Sequence, residues 1–447
     1  SQTDHCPVPE MIKGTSLSGR NGRLLALKVA FKTQGARDLQ AGLNQEISRT
    51  GGLADREKRL ATELVYGYAR FKGRIDWITS CFLKKGTKNL PVHFLTILGQ
   101  GIYELLFLDR VPDYAAVDFY VRQAGKSWGG NLSGLANAIL RRVVRERAAL
   151  LDKEFYRLDR PDPEIFYSRY YSCPGWMIRI LTRSLDPKAV ETVLRKSIQP
   201  PLIGVRINRQ APGYHELAER LARLPEAALS RPPGLAFWKT PAAVYPLEEK
   251  GRLSRQSLAS QLSLACLSPQ SWPQPVWDCC AGHGGKTGQL LELGLEPVWA
   301  SDRVSWKAAL CRQELRRLSF LNVPVFSADA AKAYPLKQRP GTILLDAPCS
   351  GLGVLNRRPD IKWKLKQEAI PGLLEIQSRM LGLACDTIQR QGLVVYLTCT
   401  LNKDENQAQI TKTIDGSLDR ISLEKEYSTP IDSPLGEYFY AAVLRKK

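Results

Sequence analysis

The sequence predicts a multidomain chain in three parts: all-α over residues 1–150, small α+β over 151–245 and α/β over 246–447. Three observations predict this division. Apolar residues recur at helical spacing throughout 20–147 with no strand pattern. A single strand-like run at 202–208 lies among helical patterns between 175 and 223. Beyond about residue 250, short β-branched runs alternate with helical ones, the texture of a mostly parallel sheet with helices on both faces. A length of 447 residues suits about three domains of roughly 150 each.

In the first part the helical spacing is carried by Leu24, Leu25, Leu27, Val29, Ala30 and Phe31, and again by Leu60, Ala61, Leu64, Val65 and Tyr68. Further amphipathic runs cover 77–83, 94–107, 115–124 and 132–144, with breaks at Gly51-Gly52, Pro91 and Pro112-Asp113. The pattern predicts six or so short helices, the last ending in Arg141, Arg142, Arg145 and Arg147. A join rich in Pro and Tyr (Pro161, Pro163, Tyr167, Tyr170, Tyr171) leads to helical patterns at 175–185, 187–197 and 214–223 around the strand. In the last part, strands are expected at 276–279, 297–301, 323–326, 342–345 and 393–397, with helices at 306–318 and 373–389 between them. A final strand at 438–444 is expected to return antiparallel at the edge.

With 44% apolar and 24% charged residues, the chain is neither disordered, collagen-like nor a disulfide-stapled mini-protein. The longest apolar stretch, 94–108, is interrupted by Gln100 and Glu104 and is too short to span a bilayer. Residues 1–11 carry no export signal, so a cytoplasmic protein without a membrane partner is expected. Lys and Arg number 64 against 44 Asp and Glu, and the excess recurs in all three parts. A polyanionic partner is implied, of which nucleic acid is the commonest. The ten cysteines include no Cys-x-x-Cys spacing and only four His accompany them, so reduced thiols and no metal site are expected.

The first strand of the α/β part runs into Asp278-Cys279-Cys280-Ala281-Gly282-His283-Gly284-Gly285-Lys286-Thr287 and then a helix. Such a loop lets the backbone approach a ligand and offers it free N–H donors. It is neither a P-loop, since Cys280 stands where the first Gly is required, nor a strict dinucleotide loop, since Thr287 replaces a Gly. Asp302, Asp329 and Asp346 follow the next three strands and line one edge of the sheet, where doubly wound folds bind ligands. Any one of them alone reads as a helix N-cap.

Two cysteines follow strands at the same edge, Cys349 in Asp346-Ala347-Pro348-Cys349-Ser350-Gly351 and Cys399 in Leu397-Thr398-Cys399-Thr400. Cys81, Cys266, Cys311 and Cys385 fit the ordinary reading of cysteine as a small apolar residue. Loop cysteines beside an acid and glycines fit it poorly. One chemistry that needs a thiol beside a nucleotide-like cofactor is methylation at C5 of a pyrimidine. There a thiolate adds to C6, making C5 nucleophilic, and a base later removes the C5 proton. With an ordinary thiol pKa of about 8.5, such a cysteine needs nearby donors or positive charge.

These residues resemble the motifs of the Sun/Fmu family of RNA cytosine-C5 methyltransferases. The resemblance is carried by 278–287, Asp302, Asp329, the run Asp-Ala-Pro-Cys-Ser-Gly-Leu-Gly-Val at 346–354 with Arg357, Pro359-Asp360 and Lys362-Trp363, and Tyr396-Leu397-Thr398-Cys399 with Glu405-Asn406. Gly436 to Tyr440 also matches, while Gly282-His283 stands where the family loop has Ala-Pro, an exchange expected to loosen the loop. Residues 60–67, 103–112 and 135–142 resemble the NusB-like domain of the family's bacterial ribosomal-RNA member.

The resemblance implies a Rossmann-like methyltransferase domain that uses S-adenosylmethionine. Cys280, Ala281, Gly282, His283, Gly284, Gly285, Lys286, Asp302, Asp329 and Asp346 would hold the cofactor, with Lys286 near its methionine end. It further implies that Cys399 is the nucleophile, that Cys349 assists product release and that Asp346 also hydrogen-bonds the target cytosine. The implied substrate is small-subunit (16S) ribosomal RNA or its precursor. Transfer RNA and a non-catalytic RNA adaptor are the alternatives. Arg357, Lys362 and Trp363 are expected to contact RNA by charge and stacking, and a monomer is expected so that RNA-contacting surfaces stay open.

Overall fold

The computed structural model describes residues 21–33, 38–83, 86–109, 111–157, 162–231, 234–332, 335 and 337–447. Residues 1–20, which include the segment read for an export signal, lie outside these, as do Arg110 and Pro161. The chain forms two compact units. One gathers the described residues up to Thr182 with 194–198 and 358–365, and the other gathers 183–193, 199–357 and 366–447. No helix among the described residues is long and apolar enough to cross a membrane.

The first unit is helical. Its main helices are Gly22–Lys32, Leu39–Thr50, Asp55–Phe82, Val92–Phe107 and Asp113–Arg145, followed by the short Arg147–Leu151 and Pro163–Tyr170. Asn21 and Asp38 cap the first two by accepting from the Leu24 and Ala41 N–H groups, which are donors the helix itself leaves unpaired. The separate patterns at 60–68 and 77–83 belong to one helix, because no Pro or turn cluster interrupts them. Those at 115–124 and 132–144 are likewise joined, across a kink where Gly129 takes φ 74° and ψ −163°. The helix Leu39–Thr50 escapes a periodicity search because little more than Leu39 and Leu43 among its apolar residues is buried.

Gln100 and Glu104, which interrupt the apolar run of Val92–Phe107, are buried joints rather than a solvated stripe. Gln100 Nε2 donates to the Ala26 carbonyl at 3.2 Å. The Glu104 carboxylate accepts from Arg23 Nε and Nη2 at 3.0 and 2.6 Å and from the Tyr120 hydroxyl at 2.9 Å. Three helices are thereby keyed to one another inside an otherwise apolar core.

The second unit holds two sheets. β1 (Ile203–Ile207), β2 (Ala227–Arg231), β3 (Gly234–Phe237) and β4 (Leu253–Arg255) form an antiparallel sheet ordered β2-β3-β1-β4. Helices Tyr214–Ala222 and Val244–Glu249 accompany it, and Val205, Ile207, Leu217, Leu221, Phe237 and Val244 share its core. This module runs through Arg255, past the expected division at 245, because β4 must pair with β1 to complete the sheet.

β5 (Val276–Asp278), β6 (Val298–Asp302), β7 (Val325–Ser327), β8 (Thr342–Asp346), β9 (Leu393–Thr398), β10 (Ile421–Ser428) and β11 (Tyr440–Lys446) form the larger sheet, ordered β10-β11-β9-β8-β5-β6-β7. The five strands β5 to β9 are parallel and β10 and β11 antiparallel. Alternate residues feed the two faces: Leu344 and Val395 one, Ile343, Leu345 and Val394 the other. Burial on both faces is why β8 and β9 read as unbroken apolar runs. The last strand does not lie at the edge as expected. β11 is interior, and β10 covers it with Glu424, Lys425 and Glu426 exposed, a charged edge that breaks the apolar alternation of Ile421, Leu423 and Tyr427.

Glu104→Ala should destabilise the helical unit by about 3–5 kcal/mol, because it strands the Arg23 guanidinium without its counter-charge. Denaturant unfolding measures this, and a change below about 1 kcal/mol would contradict the role given to Glu104.

Candidate active site

β5 lies between β6 and β8, both parallel to it, so the loop leaving its C-terminal end opens at the point where strand order reverses. The loop is tied down at several places. Ala281 N–H donates to the Ser301 carbonyl at 2.9 Å and Gly284 N–H to the Ala281 carbonyl at 2.8 Å. Gly284 has φ 85°, a left-handed conformation that suits glycine, and it starts the helix Gly285–Glu292. The exchange to Gly282-His283 therefore leaves a loop held by backbone bonds. His283 is exposed, its ring 6.0 Å from that of Trp306, while Cys280 is half-buried and Ala281 buried.

Asp302, at the end of β6, accepts from Gly282 N–H at 3.1 Å with one oxygen and from Val304 N–H at 2.8 Å with the other. Each oxygen keeps a lone pair for a hydroxyl donor. Asp329 caps its own turn, accepting from Ala331 N–H at 3.1 Å. Asp278, fully buried under the loop, accepts from the Thr287 hydroxyl at 2.6 Å through one oxygen, and its other oxygen has no partner. Burial pushes its carboxyl up to about 7. Lys286 and Asp346, from neighbouring strand ends, pair at 2.6 Å. Burial works against the Lys286 ammonium, but the Asp346 charge and hydrogen bond outweigh it and raise its pKa, with a further contribution from Cys399. Donors, an acid set for hydroxyls and a held cation at one edge suit a nucleoside carrying a charged amino-acid tail. Among the described residues no three His, Cys, Asp or Glu are gathered as a metal site would need.

β8 and β9 are parallel neighbours, with Asp346 opposite Leu397, so the loops that follow them run side by side. Cys349 Sγ and Cys399 Sγ are 3.4 Å apart, and Cys399 N–H donates to Cys349 Sγ at 3.3 Å. The Cys349 thiol is pushed well up, first by its hydrogen bond with Cys399 and then by burial. Gly353 permits the closeness: a Cβ there would lie 2.1 Å from the Tyr438 carbonyl oxygen and 2.8 Å from that of Cys399.

Behind the thiols sits the fully buried Glu405. Its carboxylate accepts from Ser350 N–H at 2.8 Å, Gln377 Nε2 at 3.0 Å and Asn402 Nδ2 at 3.1 Å. It thus binds the Cys349 loop to the Cys399 loop, with help from the Ser350 and Thr400 hydroxyls at 2.7 Å. Glu405 was visible in the sequence only as part of a motif without a role, and Gln377 gave no signal, since its helix carries it in from 28 residues away.

The structure thus brings together Cys349, Cys399, Lys286 and Asp346, and sets Asp302 under the glycine loop. It does not present Lys362 as the sequence suggested. Lys362 and Trp363 belong to the helical unit, where the Lys362 ammonium is buried and donates to the Tyr171 carbonyl at 3.3 Å. Burial pushes its pKa down to about 8. Trp363 Nε1 donates to the Ala69 carbonyl at 2.6 Å. The buried Lys362 charge is used in packing, a correction to its expected RNA contact that residue type alone had no means to anticipate, while Trp363 is half-buried. Arg357 pairs with Glu437 at 2.6 Å and donates to the Leu202 carbonyl at 2.8 Å.

A carboxyl that keeps its proton to pH about 7 when folded but loses it near 3.8 when unfolded makes the folded state bind more protons between those values. Stability contributed by Asp278 therefore falls as pH rises through that window. Asp278→Asn, neutral throughout, should gain on wild type by up to about 4 kcal/mol between pH 4 and pH 7.5. Parallel stability–pH curves for the two proteins would refute the assignment.

Comparison with known proteins accords with this geometry. The family model described as 16S rRNA methyltransferase RsmB/F matches residues 264–442, and the NusB family model matches 20–145. A Vibrio cholerae protein named ribosomal RNA small subunit methyltransferase B is 32% identical over 409 residues, covering 88% of this chain and 90% of that protein. An Escherichia coli protein of the same name is 30% identical over 452 residues, covering 96% and 99%. The crystal structure of PH0851 shares the fold, with a TM-score of 0.73 over 97% of this chain and 99% of that one at 18% identity. With NusB-type helices leading into a Rossmann-like sheet that carries paired loop cysteines, the chain belongs to the RsmB/F family of 16S rRNA methyltransferases.

Proposed function

We propose that this chain methylates C5 of a cytosine in 16S ribosomal RNA, using S-adenosylmethionine and a transient bond from Cys399 to C6. The observation that carries the cysteine chemistry is the pair Cys349–Cys399 at 3.4 Å, beside the Lys286–Asp346 ion pair. When bound, S-adenosylmethionine supplies an electrophilic methyl group. The residues to hold it are those of the loop 280–286 with Asp302, Asp329 and Asp346, and Asp302 has lone pairs free for ribose hydroxyls. The chemistry needs no metal.

Cys399, as thiolate, adds to C6, and the C5–C6 π electrons move to leave C5 nucleophilic. Asp346 hydrogen-bonds the cytosine and supports its protonated form, while its ion pair with Lys286 holds it in place. After C5 has taken the methyl group, a base removes the C5 proton and the Cys399–C6 bond breaks, restoring the ring and the thiolate. Cys349 suits that base. The chief cause of its raised pKa is its hydrogen bond to Cys399, and that bond weakens once Cys399 is bonded to carbon. The Cys349 thiol then gives up its proton more readily, at the stage where a base is needed.

In this reading residues 1–150 bind RNA, the small module from 151 through Arg255 links and the α/β part that follows catalyses, with Arg357 and the half-buried Trp363 as candidates for direct RNA contact. The protein works as a cytoplasmic monomer, so that a base in folded RNA can be turned out into the site. Cys349→Ala, mixed with unmodified small-subunit RNA and S-adenosylmethionine, should accumulate a protein–RNA adduct that survives a denaturing gel and disappears when Cys399 is also replaced. Full methyl transfer by Cys399→Ala would overturn the covalent mechanism.

A further inference from the structure

Arg206, in β1 of the small antiparallel sheet, is the largest fully buried side chain of the described residues, yet it carries a full charge. Its guanidinium faces the helix Gly285–Glu292 that begins at the glycine loop. Nε and Nη2 donate to the two oxygens of Glu292 at 2.8 and 3.0 Å. Nη1 donates to the Gly285 carbonyl at 2.6 Å and also to Gln256 Oε1. Gln256 in turn donates to Gln289 Oε1 at 3.1 Å, one turn along the same helix. Two residues along from Arg206, Asn208 donates to the Leu318 carbonyl at 3.2 Å, and Gln210 donates to the Glu292 carbonyl at 3.2 Å. Arg206 thus bonds both ends of the eight-residue helix, at Gly285 and Glu292, and Gln210, in the turn after the strand, adds a second bond at its C-terminal end.

A buried ion pair by itself is weak evidence of stabilisation, because desolvating both charges costs about as much as their attraction returns. Burial here pushes the Glu292 carboxyl up despite Arg206. Apolar side chains of similar volume would fill the same space. What apolar side chains would not supply is the bond to Gly285. That residue directly follows the left-handed Gly284 and opens the helix, so its carbonyl position sets where the first N–H groups of the helix and the Lys286 side chain point.

We propose that Arg206 is a positioning residue for the cofactor loop: through the Gly285 carbonyl it sets the affinity for S-adenosylmethionine, a task separate from its ion pair with Glu292. The inference rests on the proposed cofactor site at that loop.

The probe is S-adenosylhomocysteine, titrated by calorimetry into wild type, Arg206→Lys and the double variant Arg206→Met/Glu292→Met, with thermal unfolding measured alongside. Lysine keeps a charge for Glu292 but lacks the fork that reaches Gly285 at the same time. The double variant removes both charges together, so neither is left stranded. The expected result is a Kd raised tenfold or more in each variant that melts within a few degrees of wild type. Binding as tight as wild type in either such variant overturns the inference, because the ion pair would then be only structural. If both variants melt far below wild type, the two tasks are not separable and the inference falls as well. A wild type that binds no S-adenosylhomocysteine overturns the cofactor site and the role of Arg206 with it, so the two failures are told apart.

Discussion

The parallel register of β5, β8 and β9 is the constraint from which the site follows. Parallel strands all end at the same edge of a sheet, and neighbouring strands are about 5 Å apart. Residues that lie 50 to 60 positions apart in the chain are therefore delivered within contact distance if each follows its strand by a similar number of residues. Cys349 and Cys399 meet in this way across β8 and β9, while Lys286, in the first turn of the helix after β5, reaches back to Asp346 at the end of β8. The strands need to be buried on both faces to hold that register. The continuous apolar runs of β8 and β9 are thus a condition of the chemistry as well as of the fold.

Placement at an edge brings loops near one another but does not orient thiols, and here buried polar groups take over. Glu405 accepts from both cysteine loops, and Gly353 lets a third strip of backbone run against Cys399. The electrostatics divide the labour between two chemically identical side chains. The hydrogen bond with Cys399 and burial push the Cys349 thiol up, while Lys286 stands near enough to Cys399 for its own pKa to be raised in part by it. The asymmetry is a property of the environment alone.

The same device recurs away from the thiols. Asp302 holds Gly282 and Arg206 holds Gly285, so each end of the glycine loop is fixed by a charged side chain bonded to its backbone. In the helical unit Glu104 joins Arg23 to Tyr120 within an apolar core. Each is a buried charge whose hydrogen bonds are directional, which apolar packing is not. Apolar burial supplies the driving force, and these few polar joints select one arrangement.

Much was legible in the sequence for local reasons. The succession of helical, mixed and alternating parts follows from hydrophobic periodicity, a property of neighbouring residues. The glycine loop, the acids at strand ends and the two loop cysteines follow from the chemistry of short motifs. Their meeting at one edge follows from the rule that parallel strands end together. What depended on partners far along the chain was not legible. Lys362 and Trp363 read as RNA contacts by type, but the segment 358–365 folds into the helical unit and buries the lysine. β10 is an edge strand with polar residues, and Arg206 lies among residues with no motif around it. The role of Arg206 is set by pairing across 86 positions with Glu292, and that of Lys362 across 191 with Tyr171. By itself the sequence determined which elements form and which groups are reactive, because both depend on near neighbours. Tertiary structure alone decided how the two cysteines meet and which charges are buried to position rather than to bind. Those properties belong to the surroundings of a side chain, and only the folded chain assembles them.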